Sequence, residues 1–137
     1  MANTLTPTAR ASQVKTGYVA RTDTTAKELF SIPKGAVISG IYVIGTVASD
    51  AATTATVSIG NTASANEYMN GFDVKTAATA TGYQAAGAKA VGTAMMSPLA
   101  SDILVKGIYA ETGTASTTGG PWYVKVEYYL PPSGQTI

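Results

Sequence analysis

Ser31-Ile-Pro-Lys-Gly35, Ala36-Val-Ile-Ser-Gly-Ile-Tyr-Val-Ile-Gly-Thr46 and Ala55-Thr-Val-Ser-Ile-Gly60 form the part of the chain that decides the fold. A Pro-Lys-Gly turn leads into a run rich in β-branched residues, which favour strands. After a loop of small residues, the last run alternates apolar and small polar positions, which predicts a strand with one buried face. The segment therefore predicts a building unit of a β-sandwich, and it contains no group suited to catalysis.

Similar patterns on either side of this segment predict further strands. They lie at Val14–Thr22, Lys27–Ile32, near Tyr83–Ala88, at Asp102–Ala110 and at Trp122–Leu130. The last alternates most cleanly, with Trp122, Val124, Val126, Tyr128 and Leu130 on one face and Tyr123, Lys125, Glu127 and Tyr129 on the other. The turn residues Asp23-Thr-Thr predict that the first two strands form a hairpin.

One short stretch favours helix. Ser64-Ala-Asn-Glu67 matches a capping box, and Gly71 suits the left-handed position that ends a helix. We therefore predict a single helical turn near Ala65-Asn70. The Ala-rich stretch Ala77-Met96 is broken by Gly and Thr, so beyond the strand near Tyr83 its structure stays open.

Seven to eight short strands with turn signals every ~8–12 residues predict an all-β fold, an antiparallel β-sandwich or jelly roll. The length of 137 residues fits one domain. We predict a single β-sandwich domain over residues 14–137. Residues 1–13 are polar and show no periodicity, so they predict a flexible arm or one that orders against a partner.

Composition excludes several classes of function. Charged residues make up 12% of the chain and the net charge is +1, with no basic cluster of the kind that binds nucleic acid. Cysteine and histidine are absent, which excludes disulfides, imidazole or thiolate metal sites and His-based nucleophile pairs. We expect no cofactor. Without a signal peptide or membrane span, we also expect synthesis in the cytoplasm and no membrane partner.

Three short motifs resemble parts of enzyme sites but lack the rest of them. Ser31-Ile-Pro-Lys34 and Lys15-Thr-Gly17 match elements of penicillin-recognising serine enzymes, yet their order is reversed and Pro33 denies the serine its helix. Gly82 and Gly87 have the spacing of a phosphate-binding loop, but Lys89 is displaced and no Ser or Thr follows it. We therefore predict that the protein is not an enzyme.

Two groups of residues suggest binding functions but also have structural explanations. Asn66, Glu67, Asn70 and Asp73 supply oxygen ligands without the spacing of a calcium loop, so no metal site is predicted. Eight tyrosines and one tryptophan could stack on sugars, but most lie on predicted strands, where core packing explains them. A glycan-binding β-sandwich module remains an alternative, with Tyr83 as its test residue.

Three segments of the chain form a distinctive set: the run Ile32-Pro-Lys-Gly-Ala-Val-Ile-Ser-Gly-Ile-Tyr-Val43, the strand end Val57-Ser-Ile-Gly60 and the final strand Trp122-Tyr-Val-Lys-Val-Glu-Tyr-Tyr129. They resemble segments of a group of small structural proteins of tailed bacteriophages. The resemblance covers about Ile32 to Tyr129. It implies a jelly-roll virion protein of the head decoration or cement type, which sits as a trimer on the outside of the capsid. It implies no catalytic residues.

The resemblance and the low charge together predict a capsid decoration protein that binds across neighbouring capsomers. Its expected partners are the major capsid protein and other copies of itself in a homotrimer, with no nucleic acid. A tail, collar or fibre-associated virion protein is the alternative. The predicted interface residues are Leu5, Pro7 and Arg10 in the arm, Gly40 and Gly45 where another backbone can approach, and Tyr83.

Overall fold

Eight β-strands form two four-stranded sheets in the computed structural model, which describes residues 12–45, 47–75, 83–86 and 98–131. The strands are β1 Gln13–Val19, β2 Lys27–Ile32, β3 Val37–Gly45, β4 Thr54–Gly60, β5 Met69–Asp73, β6 Tyr83–Ala86, β7 Ile103–Thr112 and β8 Trp122–Tyr129. Within these residues, no helix is long and apolar enough to span a membrane.

The strand pairing is that of a jelly roll. β1 pairs with β8, β2 with β7, β3 with β6 and β4 with β5, all antiparallel, as in one long hairpin folded over on itself. The additional pairs β3–β8 and β4–β7 join these into sheets of order β1-β8-β3-β6 and β2-β7-β4-β5. The prediction of an antiparallel sandwich of seven to eight strands is confirmed.

The hydrophobic core lies between the two sheets and follows the predicted alternation. On β8, Trp122, Val124, Val126 and Tyr128 are buried, while the residues between them face outward. The sheets approach closely where Val19 of β1 reaches β7, because a Cβ atom at Gly107 would overlap the Val19 side chain. Gly107 thus permits this contact.

The predicted hairpin of the first two strands is wrong, because β1 and β2 belong to different sheets. Asp23 closes a tight turn, in which its backbone N–H donates to the Ala20 carbonyl and its carboxylate accepts from the Ala20 N–H. The Asp23 carbonyl then accepts from the Tyr109 N–H of β7. The turn therefore carries the chain across to the second sheet, where Ile32 is fully buried.

The helical turn predicted near Ala65-Asn70 is also wrong. The Glu67 carboxylate accepts hydrogen bonds from the N–H groups of Asn61 and Thr62 in the preceding loop, so it does not cap a helix. Met69 already begins β5 by pairing with Ile59. Gly71 has the predicted positive φ, 71°, but it lies in a strand and not at the end of a helix. The β4–β5 pairing is irregular there, because β5 contains one extra residue.

Two other predictions concern the ends of the described regions. The strand near Tyr83–Ala88 is confirmed as β6, whereas the rest of Ala77-Met96 lies outside the described residues. Gln13, predicted as the end of the arm, is the first residue of β1 and pairs with Tyr128. Residues 1–11 lie outside the described residues, so the arm stays a prediction.

Candidate functional site

Only part of the predicted interface set can be placed. Leu5, Pro7 and Arg10 lie outside the described residues. Gly45 and Tyr83 are register partners in the β3–β6 pair, so the fold brings these two positions together. Gly40 is separate from them, because it faces Glu127 of β8. Gly40 and Gly45 are both buried within the protein itself, and their role at an interface stays a prediction.

Gly40 lies at a β-bulge. The register of β3 against β8 shifts between Ile38 and Gly40, so β3 contains one extra residue. A Cβ atom at Gly40 would lie 2.7 Å from the Cε2 and hydroxyl oxygen of Tyr42. The space beside Gly40 is therefore occupied by an aromatic ring of the same strand, and the predicted approach of another backbone stays a prediction.

The outward face of the first sheet carries a concentration of aromatic side chains, which we call the tyrosine face. It consists of Val14, Thr16 and Tyr18 of β1, Tyr123, Lys125 and Glu127 of β8, and Tyr42 and Ile44 of β3, which the register places in adjacent cross-strand rows. Val14, Tyr18 and Tyr123 are 51%, 48% and 46% exposed. The rings of Tyr18 and Tyr123 lie 6.5 Å apart at 60°. The two rings are therefore tilted against each other, at a separation typical of interacting aromatic pairs.

The charges on and beside the tyrosine face are paired within the chain. Lys125 Nζ lies 3.4 Å from Glu127 Oε2 and 4.8 Å from the centre of the Tyr42 ring. At the rim, Lys27 Nζ lies 3.3 Å from an Asp23 carboxylate oxygen and 3.7 Å from the centre of the Tyr18 ring. Each ammonium group therefore has both a carboxylate and an aromatic neighbour, and the face is electrically balanced.

A polar cluster joins the loops at one end of the sandwich. The Tyr109 hydroxyl donates to Glu111 Oε1 at 2.7 Å and shares a hydrogen bond of 2.7 Å with Ser49 Oγ. Ser116 donates to Glu111 through both its hydroxyl, at 2.5 Å, and its backbone N–H. Arg21 Nη1 donates to the Ser116 carbonyl at 2.8 Å. The cluster thus connects the β1–β2, β3–β4 and β7–β8 loops.

These contacts change the acidity of both central groups. Hydrogen bonds from Ser116 and Tyr109 hold the pKa of Glu111 below its ordinary value, and the nearby Arg21 adds to the effect. Burial raises the pKa of Tyr109, and the adjacent Glu111 carboxylate opposes ionisation of the phenol as well. At neutral pH Glu111 is therefore an anion that accepts, and Tyr109 is a neutral donor, which suits a structural cluster.

Asp50 ties the same two long loops together from the surface. Its carboxylate accepts hydrogen bonds from the N–H groups of Thr118 and Thr117 and from the Thr117 hydroxyl, at 2.8–2.9 Å. These bonds hold the pKa of Asp50 well below its usual range. Gly119 follows with a φ of 132°, and a Cβ atom there would lie 2.7 Å from the Ser49 Cα atom. The β7–β8 loop therefore packs backbone against backbone on the β3–β4 loop.

The residues of the two serine-enzyme motifs meet, but without catalytic geometry. Lys15 Nζ donates to the backbone carbonyl of Ser31 at 2.7 Å. The Lys34 N–H donates to the Asp102 carboxylate in an exposed turn. Both lysines therefore hold strands and loops together, and neither is positioned by these bonds to take a proton from the Ser31 hydroxyl.

The oxygen-rich segment of Asn66, Glu67, Asn70 and Asp73 is divided between the β4–β5 loop and strand β5. Across the described ranges, no group of three or more His, Cys, Asp or Glu side chains could hold a metal ion. Burial of the Glu67 carboxylate works to raise its pKa, but hydrogen bonds from Thr62 and Asn61 outweigh this and lower it. A Cβ atom at Gly60 would overlap Glu67 Oε1, so the carboxylate fits over a glycine and organises the β4–β5 loop.

The tyrosine face is the functional candidate that the sequence analysis did not single out. Tyr123, Lys125 and Glu127 were assigned to one side of the last strand, which is a signal that could have found it. The strand alternation alone did not show that Tyr18 and Tyr42 lie beside them. Tyr68, which lies outside the predicted strands, is buried, with 1% exposure.

No protein-family model matches the chain. No curated protein matches it either. A chain in the solved structure of the cyanophage Pam1 capsid asymmetric unit is similar in fold, with a TM-score of 0.60 and 22% sequence identity. The match covers 96% of this chain and 93% of that chain, so the two have nearly the same length. Similarity at this level shows a shared fold.

Proposed function

We propose that this protein is a non-enzymatic structural component of a bacteriophage virion, and that it is a capsid decoration protein. The observation that carries the proposal is the fold similarity, over nearly the whole of both chains, to a chain from a cyanophage capsid asymmetric unit. In this proposal the protein is made in the host cytoplasm and binds the outside of the head.

The features of this chain fit a role in assembly. Three of its loops are joined by internal hydrogen bonds at the Tyr109 cluster, which holds them in fixed positions relative to one another. The exposed tyrosine face offers apolar and aromatic surface for packing. We propose that a homotrimer binds the major capsid protein across neighbouring capsomers, where many weak contacts are multiplied by symmetry. The arm with Leu5, Pro7 and Arg10, together with Gly40, Gly45 and Tyr83, stays the proposed contact set.

The test compares virions produced from a genome that carries this gene with virions produced after the gene has been deleted. We expect the protein in purified particles, density for it on the outer head surface by electron cryomicroscopy, and lower heat resistance of heads that lack it. Absence of the protein from purified particles would overturn the proposal. Density at the tail, collar or fibres would support the alternative position in the virion.

The glycan-binding alternative is disfavoured by the surroundings of the tyrosine rings. Lys27 Nζ covers a face of Tyr18, and Tyr42 lies against Gly40. Sugars stack on open aromatic faces, and the tilt between Tyr18 and Tyr123 gives no flat platform. A glycan array tests this alternative: saturable binding that is lost in Tyr83→Ala would favour it.

A further inference from the structure

We infer that the tyrosine face packs against a second copy of this chain. The inference rests on the proposed function, since a protein that assembles symmetrically needs a surface for its own copies. It goes further by committing to the outward face of β1, β8 and β3. The contrast between the two outer faces, the balance of charge and the chemistry of the tyrosine hydroxyl carry the argument.

The two outer faces of the sandwich differ in polarity. On the second sheet, Thr54, Thr56 and Ser58 of β4 occupy the outward positions, and Thr54 bonds to Thr112 of β7 through their hydroxyls at 2.6 Å. Of the four exposed large hydrophobic residues in the described ranges, only Val47 lies away from the tyrosine face. The outward positions of β7 on the second sheet also include the half-buried Leu104 and Ile108, so that face mixes polar and apolar side chains, while the first sheet concentrates the exposed apolar surface that gains from being covered.

Charge favours a second copy as the occupant. Lys125 is paired with Glu127 and Lys27 with Asp23, so the face has no unpaired charge among these groups to offer a strongly acidic or basic partner. Two copies would bring balanced surfaces together, and a net charge of +1 gives each copy little electrostatic repulsion. A neutral partner with the same surface chemistry is therefore accommodated without desolvating an uncompensated ion.

Tyrosine also makes the face chemically self-complementary. Its hydroxyl both donates and accepts a hydrogen bond, so a tyrosine can bond to the same residue type in another copy. Tyrosine is enriched in the buried centres of interfaces. A standard interface covers about 800 Å² per partner. We assign Val14, Tyr18 and Tyr123 to it as its apolar part, together with Thr16 and Lys125, whose row lies between them.

The test compares two valines of nearly equal exposure. Val14→Ser changes the face, whereas Val47→Ser changes a loop residue that is 46% exposed, against 51% for Val14. The double variant Tyr18→Ser/Tyr123→Ser removes the aromatic centre. Light scattering across a concentration series measures the mass relative to the 13.9 kDa monomer. We expect the wild type and Val47→Ser to associate alike, Val14→Ser to associate more weakly, and the double variant to lose about tenfold or more in affinity.

Particle binding is measured on the same variants, and circular dichroism verifies that each is folded. A wild type that is monomeric at its highest soluble concentration would overturn the inference. Face variants that associate like the wild type would also overturn the inference. If those variants fail to bind particles, the tyrosine face contacts the capsid instead, and the proposed decoration function is retained. Face variants that dissociate support the inference. If the protein is then found to be absent from virions, the proposed function fails but the inference about the tyrosine face does not.

Discussion

Tyr109 stacks on Trp122 in the centre of the core, with ring centres 5.1 Å apart and ring planes at 6° to each other. Tyr109 belongs to β7 and Trp122 to β8, so the contact joins the two sheets across the loop that connects these strands. The Tyr109 hydroxyl points on to Ser49 and Glu111. One residue therefore couples the apolar core to the polar cluster that fixes the loops.

Tyr109→Phe separates these two roles. The ring and its stacking remain, but Ser49 and Glu111 lose a partner, so we expect a loss of about 1–3 kcal/mol in the free energy of unfolding. Urea denaturation measures this loss. Tyr123→Phe is the control, because Tyr123 is exposed and its change should stay within about 0.5 kcal/mol. Equal stability of Tyr109→Phe and the wild type would show that the cluster does not stabilise the fold.

The lowered pKa of Glu111 predicts sensitivity to acid. A carboxyl group with a lower pKa in the folded state stabilises that state at pH values above its ordinary pKa of 4.5, and this contribution is lost as the pH falls through the folded pKa. Stability should therefore decline below about pH 4.5. Glu111→Gln should flatten this decline but not abolish it, because Asp50 and Glu67 also have lowered pKa values.

Denaturation curves between neutral pH and pH 3 give the comparison. Glu28→Gln is the matched control, since Glu28 is an exposed carboxylate on the second sheet. We expect its dependence on pH to follow that of the wild type. A Glu111→Gln variant that keeps the wild-type slope would assign the acid sensitivity to other groups.

Two glycines with positive φ distinguish backbone strain from steric overlap. Gly119→Ala should be severely destabilising, because the new Cβ atom meets the Ser49 backbone and the φ of 132° disfavours any side chain. Gly71→Ala meets nothing within 4 Å, so only its φ of 71° opposes the change and the cost should be about 1–2 kcal/mol. Thermal unfolding of the two variants measures the difference. Equal losses would mean that the β3–β4 loop moves aside without cost.

Removal of residues 1–11 tests the arm. β1 begins at Gln13, whose amide oxygen accepts from the Tyr128 hydroxyl at 3.2 Å, so this truncation leaves the described fold complete. We expect unchanged unfolding and weaker attachment to particles, measured as occupancy after sedimentation. A second truncation, of residues 132–137, serves as a control of comparable kind at the other end of the chain. Wild-type occupancy of the first variant would show that the arm is not the anchor.

The strands that could be predicted were those with a complete local pattern. β2 has the predicted bounds, and β8 has the predicted inner face from Trp122 to Tyr128. β5 was missed because Ser64 and Glu67 match a capping box, while the bonds that Glu67 actually makes run back to the β4–β5 loop. The same local motif is compatible with a helix or with a strand. The strand forms because Met69 can pair with Ile59 at the edge of the sheet.

The sequence by itself determined which side of most strands is buried, because alternation along a strand depends only on neighbouring residues. Tertiary structure decided which strands pair, as when Val19 of β1 meets Trp122 of β8, since these bonds join residues far apart in the chain. The tyrosine face and the Tyr109 cluster are products of that pairing. Each consists of side chains from three or more separate segments of the chain. Their positions depend on the packing of the two sheets against each other, which a local sequence pattern does not specify.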